Sequence, residues 1–260
     1  MAAVLPSSRS VVTGTPATAF ATIINTGNVA ATQCGIALPP GSPALFGYQT
    51  TDPATNVPIG AADTPVDIAA GGLQSFVLAV TPTTGLTAAE LPLVFDCAST
   101  DPAPVFSGVN TLTLTAETVP TPDIIAVTST LSQDGVVRVA VGETTRFAAA
   151  AINNGPAATL TATIDDNGAS LPLAATLCQS DPATGACLRD ASPAANVTLT
   201  IGTGDAATFT AFVAPTADIP FDPAANRLAL RFITADGIVR GGTSVAVMTT
   251  AAPDQHASAE

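Results

Sequence analysis

Lysine and tryptophan are absent from the 260-residue sequence, and histidine and tyrosine occur once each. Without lysine there is no Schiff-base nucleophile, no Walker-type phosphate lysine and no donor for the intramolecular isopeptide bonds of some surface pilins. The one histidine, His256, stands in the polar tail "APDQHASAE". One such residue in a fraying tail supports neither a histidine-based triad nor a multi-histidine metal site. Charge is also scarce, at 10% of residues, and 7 basic residues face 20 acidic ones for a net charge of -13. Such a chain repels phosphate backbones and anionic lipid, which argues against nucleic acid as a partner. No run reaches the roughly 18 apolar residues of a membrane span. The opening "MAAVLPSSRS" lacks the basic and hydrophobic regions of a signal peptide, as expected of a mature secreted chain given a start methionine.

What is present is a folding composition, 47% hydrophobic, with 22 Pro and 20 Gly punctuating short apolar runs. Thr, Ser, Asn and Asp carry most of the polarity, a mixture suited to short strands joined by turns. The chain also repeats itself. "GTPATAFATIINTG" from Gly14 matches "GETTRFAAAAINNG" from Gly142, and "TDPAT" from Thr51 matches "SDPAT" from Ser180. "LQSFVLAVTPT" from Leu73 falls on "AATFTAFVAPT" from Ala206, which aligns Phe76 with Phe209. "LPLVFDCAST" falls on "LALRFITADG" and aligns Phe95 with Phe232.

Within each copy apolar residues alternate, as at Phe20, Thr22 and Ile24, with the period of a strand that buries one face. The ten Phe read mostly as core. About seven strands per copy, separated by "NTG", "PPGSP", "DPAT", "AAGG" and "PTTG", predict an all-β fold of two tandem immunoglobulin-like Greek-key β-sandwich domains related by internal duplication. The expected boundaries are residues 1–119, a proline-rich linker at 120–122, residues 123–250, and a polar tail at 251–260. The "PTP" linker fixes extended backbone, so each half is expected to fold alone.

The repeat also orders the cysteines. Cys34 and Cys97 align with Ala162 and Thr234, while Cys178 and Cys187 align with Gln49 and Pro58. Cysteines gained and lost in pairs predict the bonds Cys34 to Cys97 and Cys178 to Cys187, with four buried free thiols as the alternative. Bonded, they place the chain in an oxidising compartment.

Candidate chemistry is thin. Asp165, Asp166 and Asn167 in "IDDNGAS" are oxygen donors of the kind calcium takes, but the Asn167-Gly168 pair also reads as a plain hairpin turn. Asp63, Asp67, Asp218 and Asp222 could add ligands or stand as solvated loop carboxylates. No metal and no cofactor is expected. Tyr48 reads as a partly buried strand residue rather than a sugar platform, and Asn196-Val197-Thr198 fits the glycosylation sequon. No pair of carboxylates sits in an evident cleft, and no nucleophile-base pair can be assembled, so the expectation is no catalysis.

The "N-x-G" turns, the hairpins "YQTTDPAT" and "LCQSDPATGACL" and the closing strand "TLTLTA" resemble tandem immunoglobulin-like modules of secreted and cell-surface bacterial proteins, including CARDB-like domains. The resemblance covers residues 5 to 250 and rests on turn and core signatures. It implies a fold and an extracellular or cell-surface location, with no catalytic residues to carry over. The expected function is a non-enzymatic structural or adhesive module mediating protein contacts or assembly into a fibre or layer. The alternative is an accessory carbohydrate- or calcium-binding module of a secreted enzyme system. For assembly, the expected contact is the terminal segment, at Ala2, Val4, Leu5, Val11 and Val12, which can pair in its own domain or with a neighbouring chain.

Overall fold

The computed structural model describes residues 1–188 and 192–251, and among these every regular element is a strand. His256 lies outside the described residues. The chain divides into two compact units. The first comprises Met1–Ile125 with Asn153–Pro156 and Ile238–Gly241, and the second comprises Ala126–Ile152, Ala157–Gly237 and the chain from Gly242. The segment 120–122 thus falls inside the first unit, and the division comes after Ile125.

The first half contributes β1 (Ala2–Leu5), β2 (Ser8–Val12), β3 (Ala17–Ile24), β4 (Ala31–Ala37), β5 (Ala44–Thr51), β6 (Val66–Ile68), β7 (Leu73–Pro82), β8 (Leu86–Pro92), β9 (Val94–Asp96) and β10 (Thr111–Glu117). One sheet has the order β1-β3-β7-β5; the remaining strands form β2-β10-β8 and β6-β4-β9, with Leu93 alone between β8 and β9. The second half contributes β11 (Ile124–Ser129), β12 (Val136–Ala140), β13 (Thr145–Asn153), β14 (Ala158–Asp165), β15 (Leu173–Gln179), β16 (Asn196–Ile201), β17 (Ala206–Pro215), β18 (Arg227–Ile233) and β19 (Val239–Thr250). These pair as β11-β13-β17-β15 and β12-β19-β18-β14-β16. The two halves follow the same order, with β8 and β9 together standing where β18 stands, and each includes a parallel pair, β2 with β10 and β12 with β19.

Alternation builds the layers. On β3 the buried residues are Ala17, Ala19, Ala21 and Ile23, while Phe20 and Ile24 face outward. This inverts the expected face, and the register explains why. Ala21 lies opposite Phe76, Ala19 opposite Leu78 and Ala17 opposite Val80, all buried, so small side chains on β3 make room for large ones on β7. Interdigitation of large against small fills a core to native density, and larger groups on both strands would overpack it. Of the ten Phe, Phe76, Phe95, Phe147, Phe209 and Phe232 are buried, whereas Phe20, Phe106 and Phe221 are exposed.

The cores are aromatic-centred. Tyr48 packs edge-on to Phe76 with ring centroids 5.8 Å apart, and Phe209 meets Phe232 at 5.4 Å. Edge-to-face pairs at such distances add about 0.5–1.5 kcal/mol beyond burial. Cys34 on β4 is bonded to Cys97 across 63 residues, and Cys178 on β15 is bonded to Cys187 across 9, which leaves no free cysteine among the described residues.

Candidate functional site

The duplicated turn is a structural device. Asp52 Oδ1 accepts hydrogen bonds from Ala54 N at 3.0 Å, Thr55 N at 2.9 Å and Thr55 Oγ1 at 3.0 Å. Asp181 makes the same three bonds, to Ala183 N, Thr184 N and Thr184 Oγ1, at the same distances. The backbone amide of the turn threonine is the chief reason that both carboxyls are held below the ordinary carboxylate value. Beyond the turns, Thr51 bridges to Pro58 and Ser180 to Cys187, so the chain returns alongside its strand in both halves. In the second half the disulfide Cys178–Cys187 ties this return. In the first, Gln49 Nε2, at the aligned position, donates to Gly60 O at 2.8 Å.

The carboxylates singled out for calcium are already engaged. Asp165 Oδ1 accepts from Asn167 N at 2.8 Å, and Asp166 accepts from Gly168 N and Leu171 N. The remaining oxygens of the group, Asp165 Oδ2 and Asn167 Oδ1, receive the guanidinium of Arg231. That guanidinium stands where a bound cation would have to sit. Asp63 accepts from Tyr48 N, Asp67 from Gln33 N, Asp218 from Thr249 Oγ1, and Asp222 caps a turn through Ala224 N and Ala225 N. These four are dispersed turn and strand anchors. Among the described residues no cluster of three or more His, Cys, Asp or Glu could hold a metal. Asn196 is exposed on β16, and Thr198 Oγ1 shares a 3.1 Å hydrogen bond with Thr161 Oγ1.

Positions on four edge strands, β1, β2, β5 and β15, are engaged within the chain. On β5, Ile59 N donates to Thr50 O at 2.7 Å and Asp63 N to Tyr48 O at 2.8 Å, which takes the groups of its C-terminal half. On β15, Leu177 exchanges both backbone bonds with Ala194, and Leu188 N donates to Gln179 O. On β2 the amide of Ser10 is taken by Asp123 Oδ1 at 2.8 Å, and on β1 the amide of Val4 donates to Val109 O at 2.8 Å. Covering edges in this way suppresses strand addition by other chains. The residues expected to mediate assembly are likewise engaged: Val4 belongs to the core, Ala2 and Val11 pack against it, and Val12 is half-buried. Leu5 alone among them is exposed.

What remains open is a face. No Asp, Glu, Lys, Arg or His occurs in β1, β3, β7 or β5. On the outer side of this sheet Leu5 lies opposite Phe20, Phe20 opposite Val77, Ile24 opposite Leu73, and Thr22 between them opposite Ser75. Leu5 is 54% exposed, Phe20 40% and Leu73 50%. By contrast, the other layer carries Arg9, Asp67, Glu90, Asp96 and Glu117. Acidity is therefore sorted between the two layers of the first half. The corresponding face of the second half is less apolar, because β13 presents Arg146 and alanines outward, with Ile152 its one large exposed apolar residue. The outward set was missed in the sequence because alternation alone does not say which face of a strand is buried; the absence of charge from four strands in a chain of net charge -13 was the available signal.

No protein-family model matches the chain, and no curated protein matches it. Among solved structures, a protein of unknown function from Porphyromonas gingivalis W83 is similar at 13% identity and a TM-score of 0.29, covering 95% of this chain and 98% of that one. The major pilin subunit of Bacillus cereus is similar at 11% identity and a TM-score of 0.28, over 96% of this chain and 70% of that one. The secreted serine protease VesC from Vibrio cholerae gives 11% identity and a TM-score of 0.26, over 83% of this chain and 46% of the protease. With TM-scores this low, these likenesses do not bear on function.

Proposed function

We propose that this chain is a non-enzymatic structural or adhesive module of the extracellular bacterial surface, built as two tandem immunoglobulin-like β-sandwich units and acting through protein–protein contact. The observation that carries the reading is the outer face of β1-β3-β7-β5, whose strands carry no acidic or basic side chain and present Leu5, Phe20, Ile24 and Leu73, beside edge positions on β1 and β5 that are taken within the chain. Exposed apolar patches rimmed by polar residues mark interaction sites on soluble proteins. The two disulfides support an oxidising location. The arginine lodged among Asp165 and Asn167 weighs against the calcium-binding alternative.

Electron microscopy of the purified chain, with calorimetry against calcium and a panel of oligosaccharides, tests this reading. Fibres or a layer, with no heat from either ligand, support it. Micromolar binding of calcium or a sugar, with no assembly, would replace it with the accessory-module reading.

A further inference from the structure

We propose that the outer face of the β1-β3-β7-β5 sheet is the docking surface for a second copy of this chain, two such faces packing sheet on sheet; this rests on the protein-contact reading above. The first argument is charge. Each copy carries a net charge of -13, so two copies repel unless they meet where no acid is buried or opposed. Burying unpaired carboxylates costs several kcal/mol each, which disfavours the layer holding Asp67, Glu90, Asp96 and Glu117. No strand of the β1-β3-β7-β5 face carries such a group, and Asp63, whose carboxylate lies against Gly47, stands at the β5 edge, away from Leu5 and Phe20 on β1 and β3. A basic partner would find its complement on the acidic layer, and a face whose strands carry no charge is complementary to its own copy.

The second argument is side-chain placement. A strand facing only water gains nothing from large apolar groups, yet β3 turns alanines inward and Phe20 and Ile24 outward. Leu5, Val77 and Leu73 lie beside them in register and extend the patch across β1 and β7. Half-exposed Thr22 separates Phe20 from Ile24 on β3, so the large groups stand apart along the strand. Faces packed in this way sit about 10 Å apart.

The third argument is size. Four strands about 4.8 Å apart and about eight residues long, at about 3.3 Å per residue, project to about 500 Å². A corrugated surface exposes more than its projection, and the face lies at the small end of the range, below the roughly 800 Å² per partner of a standard interface. A two-fold dimer satisfies this geometry, because each face meets an identical one.

Sedimentation equilibrium of the full chain, from low micromolar to millimolar concentration, tests the proposal. The expected weight-average mass rises from 25.6 kDa toward twice that value. Thr22→Arg and Phe20→Asp should each weaken association at least tenfold, because a two-fold contact places the new charge against its copy. Leu131→Asp, at a position 80% exposed in the second half, should associate like the unmodified chain. Circular dichroism and denaturation midpoints establish that each variant is folded, and Thr22→Arg, at a half-exposed threonine, keeps the test decisive if Phe20→Asp is unstable. A chain that stays monomeric throughout, or a folded Thr22→Arg that dimerises undiminished, overturns the proposal. Fibres seen by microscopy under the same outcome would leave the protein-contact reading standing.

Discussion

Arg9 and Asp123, 114 residues apart in sequence, form a nearly buried ion pair in the first unit, with Nη2 2.8 Å from Oδ2 and Nε 3.1 Å from the same oxygen. The pair is hydrogen-bonded on all sides. Asp123 Oδ1 takes the amide of Ser10, and Arg9 Nη1 donates to the carbonyl and hydroxyl of Thr18. Removing one partner leaves the other charge buried and unpaired, a loss of about 3–5 kcal/mol. Asp123→Ala is therefore expected to lower the urea midpoint strongly. The double variant Arg9→Met with Asp123→Leu should recover part of the loss, since an apolar pair of similar volume leaves no orphaned charge, only the unpaired amide of Ser10. Equal destabilisation by the single and double variants would contradict this account of the pair.

Two glycines hold the same segment. A Cβ on Gly155 would collide with the carbonyl oxygen of Thr121 and sit 2.8 Å from Asp123 N; one on Gly241 would collide with Ile124 and lie 2.9 Å from its carbonyl carbon. The obstacle is backbone in each case and cannot swing aside. Gly155→Ala and Gly241→Ala should each cost about 1–3 kcal/mol. Gly85→Ala, whose Cβ would meet Ala116 O at an ordinary 3.7 Å, should be nearly neutral, and thermal melts of the three variants check the ranking.

Reduction should affect the two disulfides unequally. Loop-closure entropy assigns about 4 kcal/mol to Cys34–Cys97, spanning 63 residues, and about 3 kcal/mol to Cys178–Cys187, spanning 9. Cys34→Ala with Cys97→Ala removes two buried sulfurs, whereas Cys178→Ala with Cys187→Ala removes one, at Cys178, and leaves the hairpin its Asp181 turn. The first double variant is expected to show the larger drop in denaturation midpoint.

Acid should act late on the turns. The hydroxyl of Ser132 is the largest cause that holds the Asp134 carboxyl down at about 2, with the amide of Val136 and the guanidinium of Arg138 adding to it. A carboxyl depressed on folding contributes stability above its ordinary value of 3.8 and loses it as pH falls through its folded value. The Asp134 contribution should therefore fade between pH 3.8 and about 2. Asp52 and Asp181 lose theirs in the same direction, below 3.8. Carbon-detected NMR titration of the side-chain carboxyls reads these values directly. A midpoint for Asp134 at its ordinary value would show that the Ser132 bond does not persist in solution.

The strands and the repeat were legible because both are local patterns. Period-two alternation marks β3, β7 and β10, and "DPAT" sets the same three hydrogen bonds wherever it stands, since Asp and Thr three residues apart suffice to make them. The pairing of Cys178 with Cys187 could be read from Gln49 and Pro58 at the aligned positions. The inward face of β3 could not be read, because "ATAFATII" is apolar on both sides and only the register with Phe76 and Leu78 decides. Nor could the Arg9–Asp123 pair, because sequence patterns carry no signal across 114 residues. The calcium candidates failed to declare their partner for the same reason. Arg231 lies on another strand, 66 residues beyond Asp165.

Hydroxyl-radical footprinting of the full chain at low and high concentration tests most directly the claim that the uncharged sheet face is the working surface. The account predicts that Leu5, Phe20, Ile24 and Leu73 lose reactivity together as concentration rises, while Leu131 and Phe221, exposed elsewhere, stay unchanged. Unchanged reactivity at the four face residues, or protection centred on Leu131 and Phe221 instead, would contradict it.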